Sequence, residues 1–75
     1  NYNKVYREVG RMKQYVFSFY TEQGKTFAWE ETILASGMME AFSKARQMLL
    51  KYKQEKGGPV RVRYKGVRYR HTDIA

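Results

Sequence analysis

The sequence predicts an α+β domain in which one helix packs across one face of an antiparallel sheet. Four runs, residues 13–21, 25–35, 60–64 and 67–71, alternate side chains with a period of two, which is typical of half-buried strands. Residues 38–52 instead place apolar side chains at three- and four-residue steps, which is typical of an amphipathic helix. The chain has 75 residues and no cysteine, so we expect one small core without disulfides.

The domain organisation follows from where this periodicity begins. Residues 1–11 show no sustained period, and we expect a loose N-terminal arm with a short strand around residues 5–9. Residues 12–75 are expected to form a single domain. The chain starts at Asn1, which fits a processed or excised piece. With 43% hydrophobic and 16% aromatic residues, the composition is that of a folded chain and not of a disordered tail.

The first two strands are predicted to form a hairpin. Residues 13–21 and 25–35 alternate, and the three residues 22–24 between them end in Gly24, which suits the left-handed position of a three-residue loop. This loop sets Phe19 opposite Phe27 and Phe17 opposite Trp29, which gathers the large rings on one face. A two-residue loop would scatter the rings over both faces.

The helix is predicted to begin near Met38, after a cap at Ser36 or Gly37. Its end is predicted by the sequence of residues 57–59, Gly-Gly-Pro, which cannot continue a helix. One stripe of apolar residues is expected to face the core, including two of the four methionines. The stripe comprises Met38, Ala41, Phe42, Ala45, Met48, Leu49 and Tyr52.

Residues 60–64 and 67–71 are predicted to form a second hairpin around Lys65 and Gly66. The predicted element order is therefore β-β-α-β-β, and a strand order of 2-1-3-4 keeps neighbouring strands antiparallel with a right-handed crossover. One face of this hairpin carries apolar residues that we expect to face the helix: Val60, Val62, Tyr64, Val67 and Tyr69. The other face carries Arg61, Arg63, Arg68 and Arg70.

The charge of the chain lies in its C-terminal part. Residues 1–43 contain five basic and five acidic residues, whereas residues 44–75 contain ten basic and two acidic residues, so the last 32 residues carry the whole net charge of +8. Solubility does not require such clustering, so this asymmetry favours a polyanionic partner.

The candidate binding site is the arginine face of the second hairpin. Arg63 would lie opposite Arg68, and Arg61 opposite Arg70, which is unfavourable unless an anion relieves the repulsion. A two-stranded ribbon fits the DNA major groove, and guanidinium groups suit phosphate and guanine. The predicted nucleic-acid-binding residues are Arg61, Arg63, Lys65, Arg68, Arg70 and Tyr20, the last as a ring that stacks on a base.

Two alternative interpretations stay open. The same arginines can pair with carboxylates on a protein partner, which would make the chain a small inhibitor or an assembly subunit. Charges on an edge strand can also serve to prevent edge-to-edge aggregation. Homodimerisation through an edge strand is compatible with either binding function.

Composition also argues against other classes. No nucleophile, base or carboxylate pair converges, and with one histidine and no cysteine we expect no enzyme activity, no metal site and no cofactor. Glu30 and Glu31 are neighbours on a strand and should point to opposite faces. No apolar run has the length of a membrane span, so we expect a cytoplasmic protein, or a nucleoid or nuclear one if it is bound to nucleic acid.

Overall fold

A computed structural model describes residues 12–22 and 26–68 of the chain and confirms the α+β class. Within these residues the elements are strand β1 (Lys13–Thr21), strand β2 (Phe27–Ala35), helix α1 (Met38–Lys56) and strand β3 (Val60–Arg68). The three strands form one antiparallel sheet in the order β2-β1-β3, which confirms the predicted order for the first three strands. The N-terminal arm predicted for residues 1–11 lies outside the described residues.

The register between β1 and β2 differs by two residues from the prediction. Thr21 pairs with Phe27, and Phe19 pairs with Trp29, so the connection comprises residues 22–26 and the predicted three-residue loop is wrong. The predicted position of Gly24 lies outside the described residues. The observed register stacks the Trp29 ring on Phe19, with 6.0 Å between ring centroids, and leaves Phe27 68% exposed. A shift of two residues conserves side-chain direction, so the predicted faces of both strands are correct although the predicted register is not.

Helix α1 begins and ends where the sequence indicates. Gly37 is the N-cap residue and its carbonyl accepts a hydrogen bond from the Ala41 amide at 3.0 Å. At the other end Gly57 adopts a left-handed conformation with φ of 68°, and its amide bonds to the Lys53 carbonyl at 3.1 Å. A left-handed residue after the last turn is a common helix stop, and glycine adopts it without a Cβ clash.

The core lies between α1 and the facing side of the sheet. Ala41 and Ala45 are buried, because small residues let the helix approach closely, and Met48, Leu49 and Tyr52 pack at the edge of the core. Two aromatic clusters fill the space on either side. One joins Phe17, Phe42 and Tyr64, and the other joins Phe19, Trp29 and Tyr52. The core assignments of Met38 and Phe42 are only partly correct, since these side chains are 42% and 44% exposed.

The predicted second hairpin does not exist, because residues 65 and 66 lie inside one continuous strand. Phe17 pairs with Tyr64 and Val16 pairs with Gly66, so Lys65 is the extra residue of a β-bulge. Gly66 has φ of 150°, which other residues rarely adopt. The bulge lets β3 continue along β1 and adds three residue pairs with β1 beyond Lys65, which a turn at this point would lose. The remainder of the predicted fourth strand, residues 69–71, lies outside the described residues.

Candidate nucleic-acid interface

The sheet has one face that α1 does not cover, and we call it the open face. Along β1, side chains that pack against the helix alternate with side chains that point to the other face. Residues of β2 and β3 that pair with a β1 residue point to the same face as that residue. The open face comprises Gln14, Val16, Ser18 and Tyr20 on β1, Ala28, Glu30, Thr32 and Leu34 on β2, and Arg61, Arg63, Lys65, Gly66 and Arg68 on β3.

Four of the predicted site residues form a row along β3, which we call the basic row: Arg61, Arg63, Lys65 and Arg68. In cross-strand pairing Arg61 lies opposite Tyr20, Arg63 opposite Ser18 and Arg68 opposite Gln14. The prediction that these three arginines share one face is confirmed, because the extra residue of the bulge restores the side-chain direction that a straight strand would have lost. Arg70 lies outside the described residues.

The predicted repulsion between opposed arginines is wrong for the described residues. Arg63 and Arg68 belong to the same strand, and Arg63 faces Ser18 instead of another cation. Arg61 and Arg63 are two positions apart, which corresponds to about 6.8 Å along an antiparallel strand. The basic row therefore has no repulsion between like charges on opposite strands. The row alone does not imply that an anionic ligand is needed to relieve such repulsion.

Carboxylates of the chain already contact three of the four cations. A Glu22 oxygen lies 3.5 Å from Arg61 Nε, and Glu30 oxygens lie 3.2 Å from Lys65 Nζ and 4.0 Å from Arg68 Nη2. The side chains in these pairs are between 43% and 67% exposed, so water competes for them. Exposed pairs of this kind contribute about 0.2–1 kcal/mol each, and an incoming anion can replace the carboxylate.

Arg63 stands apart from the other members of the basic row. It is exposed at the middle of β3, and within residues 12–22 and 26–68 it has no carboxylate partner. The described open face thus holds four cations against the carboxylates of Glu22 and Glu30, and it retains a positive surplus centred on Arg63.

Tyr20 lies at the end of the open face where β3 begins. It is half-buried on β1, with Arg61 opposite on one neighbour and Ala28 opposite on the other. This position brings Tyr20 and Arg61 together, as the predicted site requires, while Arg68 lies near the other end of the strand.

The bulge creates a shallow depression in the open face. Its volume is about 330 Å³, and it lies over the point where Gly66 pairs with Val16. Glycine presents no side chain there, and Val16 is only 4% exposed, so the backbone at Gly66 forms the bottom. The lining residues are Val16, Glu30, Lys65, Gly66, Val67 and Arg68.

The opposite side of the molecule holds most of the remaining described cations. Lys44 pairs with Glu40 at 3.3 Å and Lys51 with Glu55 at 3.9 Å, both one turn apart on the outer surface of α1. Ser36 donates a hydrogen bond to Glu40, and this bond together with Lys44 lowers the pKa of the Glu40 carboxyl. These exposed pairs indicate that this surface is a solvated helix face.

Aromatic residues between the arginines belong to the core, as predicted for Tyr64. Its ring lies 5.5 Å from the Phe17 ring on the helix side of the sheet. The equivalent prediction for Tyr69 concerns a position outside the described residues.

Sequence reasoning missed the two carboxylates that pair with the basic row. Glu30 contacts Lys65 and Arg68, whereas Glu31 accepts a hydrogen bond from the Tyr52 hydroxyl on the helix side, which confirms that these neighbours point to opposite faces. The Tyr52 hydroxyl has its pKa raised, first by this bond and then by desolvation. The signal was available for Glu30, which shares the side-chain direction of Ser18 in the predicted sheet, whereas Glu22 was predicted to lie in the loop.

Comparisons with family models, curated proteins and solved structures find no match for this chain. No helix among the described residues has both the length and the apolar character to cross a membrane. In the same residues no three histidine, aspartate or glutamate side chains are grouped as a metal ion would require.

Proposed function

We propose that the chain is a small nucleic-acid-binding module that docks its open face on backbone phosphates of DNA or RNA. The observation that carries the proposal is the basic row, in which four cations project from one strand on a face that the helix leaves uncovered. Three of them hold only exposed carboxylates, and Arg63 holds none among the described residues. Guanidinium groups bind phosphate with two parallel hydrogen bonds, so arginine is the suitable residue for this contact.

The mode of docking differs from the two-stranded ribbon expected from the sequence. Within the described residues the cations lie on an edge strand of a three-stranded sheet, and the outer strands of such a sheet lie about 10 Å apart before side chains are added. The major groove is about 12 Å wide, so a sheet of this width with its side chains is too wide to lie flat in the groove. We therefore favour contacts to the phosphate backbone along β3, with Tyr20 available to stack on an unpaired base at one end.

A protein partner with an acidic surface is the second candidate, and one observation favours it. Arg61, Lys65 and Arg68 already bind carboxylates within the chain, so the basic row is compatible with that ligand. The two candidates differ in their response to polynucleotides, because only the first predicts binding to any backbone of sufficient charge density.

The experiment that tests the proposal is a titration with random duplex DNA, single-stranded DNA and RNA over a salt series. We expect binding to at least one of these polymers, with a dissociation constant that rises steeply with salt. The variant Arg61→Gln, Arg63→Gln, Lys65→Gln, Arg68→Gln should lose this binding and keep the fold.

A matched control removes the same number of charges from the helix side. The variant Arg46→Gln, Lys51→Gln, Lys53→Gln, Lys56→Gln changes the net charge equally but leaves the open face intact, and glutamine has a helix propensity close to that of the residues replaced. The proposal requires the control to bind much more tightly than the open-face variant. Equal loss in both variants would reduce the effect to net charge, and retention of none of the three polymers by the parent chain would favour the acidic protein partner.

A further inference from the structure

We infer that the depression beside the bulge of β3 accepts one unstacked nucleobase that carries an exocyclic amine, with Glu30 as the hydrogen-bond acceptor for that amine. The inference rests on the proposed function, because it names the class of base that the open face would hold. The chain would then bind preferentially to single-stranded segments that are rich in bases with an exocyclic amine.

The space for a base comes from the bulge itself. A Cβ atom placed on Gly66 would have no neighbouring atom within 4 Å, so the volume above this residue is empty. Val16 beneath it is only 4% exposed, although it points to the open face. Val16 therefore contributes little accessible surface, and the open space of about 330 Å³ lies above the Gly66 backbone and is bordered by Glu30, Lys65 and Arg68.

The rim of the depression supplies the polar groups. Arg68 is 64% exposed, and its planar guanidinium group can stack on a base that lies above Gly66. Lys65 contributes a compact ammonium group suited to the adjoining phosphate. Both cations lie within 4.0 Å of Glu30. The two cations on β3 therefore hold the Glu30 carboxylate of β2 at the edge of the space, across the intervening strand β1.

Glu30 determines which base fits. An ionised carboxylate only accepts hydrogen bonds, so it can bind the amine of cytosine, as acidic side chains do in DNA recognition. Thymine and uracil present a carbonyl oxygen at the equivalent position, and two acceptors facing each other repel. Cytosine and thymine are nearly equal in size, so their comparison isolates this hydrogen bond from stacking and from charge.

The test compares short oligo(dC) and oligo(dT) of equal length at neutral pH and fixed salt. We expect the parent chain to bind oligo(dC) about tenfold more tightly, the size expected for one hydrogen bond to a charged group. Glu30→Ala should remove this preference, and affinity for oligo(dT) should stay the same or rise because an anion has left the face. Arg68→Lys should weaken binding of both oligomers, since it keeps the charge and removes the stacking plane.

Glu22→Ala is the matched control, because Glu22 also pairs with an arginine of the basic row but lies away from the depression. It changes the net charge as Glu30→Ala does and should leave the preference for oligo(dC) intact. Equal binding of the two oligomers by the parent, persistence of the preference in Glu30→Ala, or its loss in Glu22→Ala would each overturn the inference while the proposed function stands. Binding of neither oligomer, nor of any other polynucleotide, would overturn both.

Discussion

Arg63 and Arg61 offer a comparison in which two arginines on one strand should contribute unequally to binding. Arg63 has no carboxylate partner among the described residues, whereas Arg61 must leave a Glu22 oxygen 3.5 Å away before it binds a phosphate. An exposed ion pair is worth about 0.2–1 kcal/mol. Arg63→Gln should therefore weaken binding to single-stranded DNA by about 1.4- to 5-fold more than Arg61→Gln does.

The assay is fluorescence anisotropy with a labelled oligonucleotide at several salt concentrations. Each phosphate contact that is lost should make the slope of log K against log salt shallower by about 0.7 for single strands. Between 50 and 200 mM salt, about 2.6-fold of the salt effect should therefore disappear for each arginine removed. Both single variants should show this change of slope, because both arginines contact phosphate in the complex.

The same comparison in a Glu22→Gln background tests the physical reason. Once the competing carboxylate is gone, Arg61 is as free as Arg63, and the two Gln variants should weaken binding equally. A larger loss for Arg61→Gln than for Arg63→Gln in the parent chain would refute the reasoning. So would a difference between them that survives unchanged in the Glu22→Gln background.

Three further predictions concern the fold that holds the open face. Phe19→Ala should lower the free energy of unfolding by about 3–5 kcal/mol in urea titrations, because the ring is fully buried, whereas Phe27→Ala at an exposed position should change it by less than about 0.5 kcal/mol. Gly57→Ala should cost about 1–2 kcal/mol in the same assay, since alanine is strained at φ of 68°. Because the pKa of Tyr52 is raised in the folded state, the bond to Glu31 stabilises the fold fully below a pH of about 10, the pKa of tyrosine in the unfolded chain. This stabilisation is lost as the pH rises through the pKa of Tyr52 in the folded state. Tyr52→Phe should therefore make the free energy of unfolding less dependent on pH in this range.

Local periodicity was sufficient to predict the helix and the faces of the strands. The three- and four-residue spacing from Met38 to Tyr52 and the glycine at position 57 act within a few turns of chain, so they define α1 without knowledge of its neighbours. The strand faces were equally robust. An error of two residues in register leaves Phe19 and Trp29 on the same side of the sheet, because side-chain direction repeats every two residues.

The turn at Lys65 and Gly66 was mispredicted because two structures share its pattern. A two-residue turn and a one-residue bulge both place Tyr64 and Val67 on the same face, so alternation cannot distinguish them. Pairing with the distant strand β1 decides which of the two structures forms. Strand β1 has nine residues, and β3 matches its length only if it continues past Gly66. For the same reason the shared face of the arginines was predicted correctly from an incorrect hairpin.

The contacts within the candidate site could not be predicted from sequence alone. Glu30 reaches Lys65 and Arg68 across the width of β1, so these pairs depend on strand order, on register and on the bulge together. Glu22 meets Arg61 only because β1 and β3 pair at that end. Charge surplus was visible in the sequence, but its partial neutralisation required the tertiary structure.

Chemical-shift mapping of the labelled chain with a short single-stranded oligonucleotide tests most directly whether β3 is a polyanion-binding strand. The account predicts that the largest amide shifts fall on Arg61, Arg63, Lys65 and Arg68 and on their cross-strand neighbours Tyr20 and Ser18, with small shifts along the outer face of α1. Shifts that concentrate on the lysines of α1, or a spectrum that does not change at low salt, would contradict it.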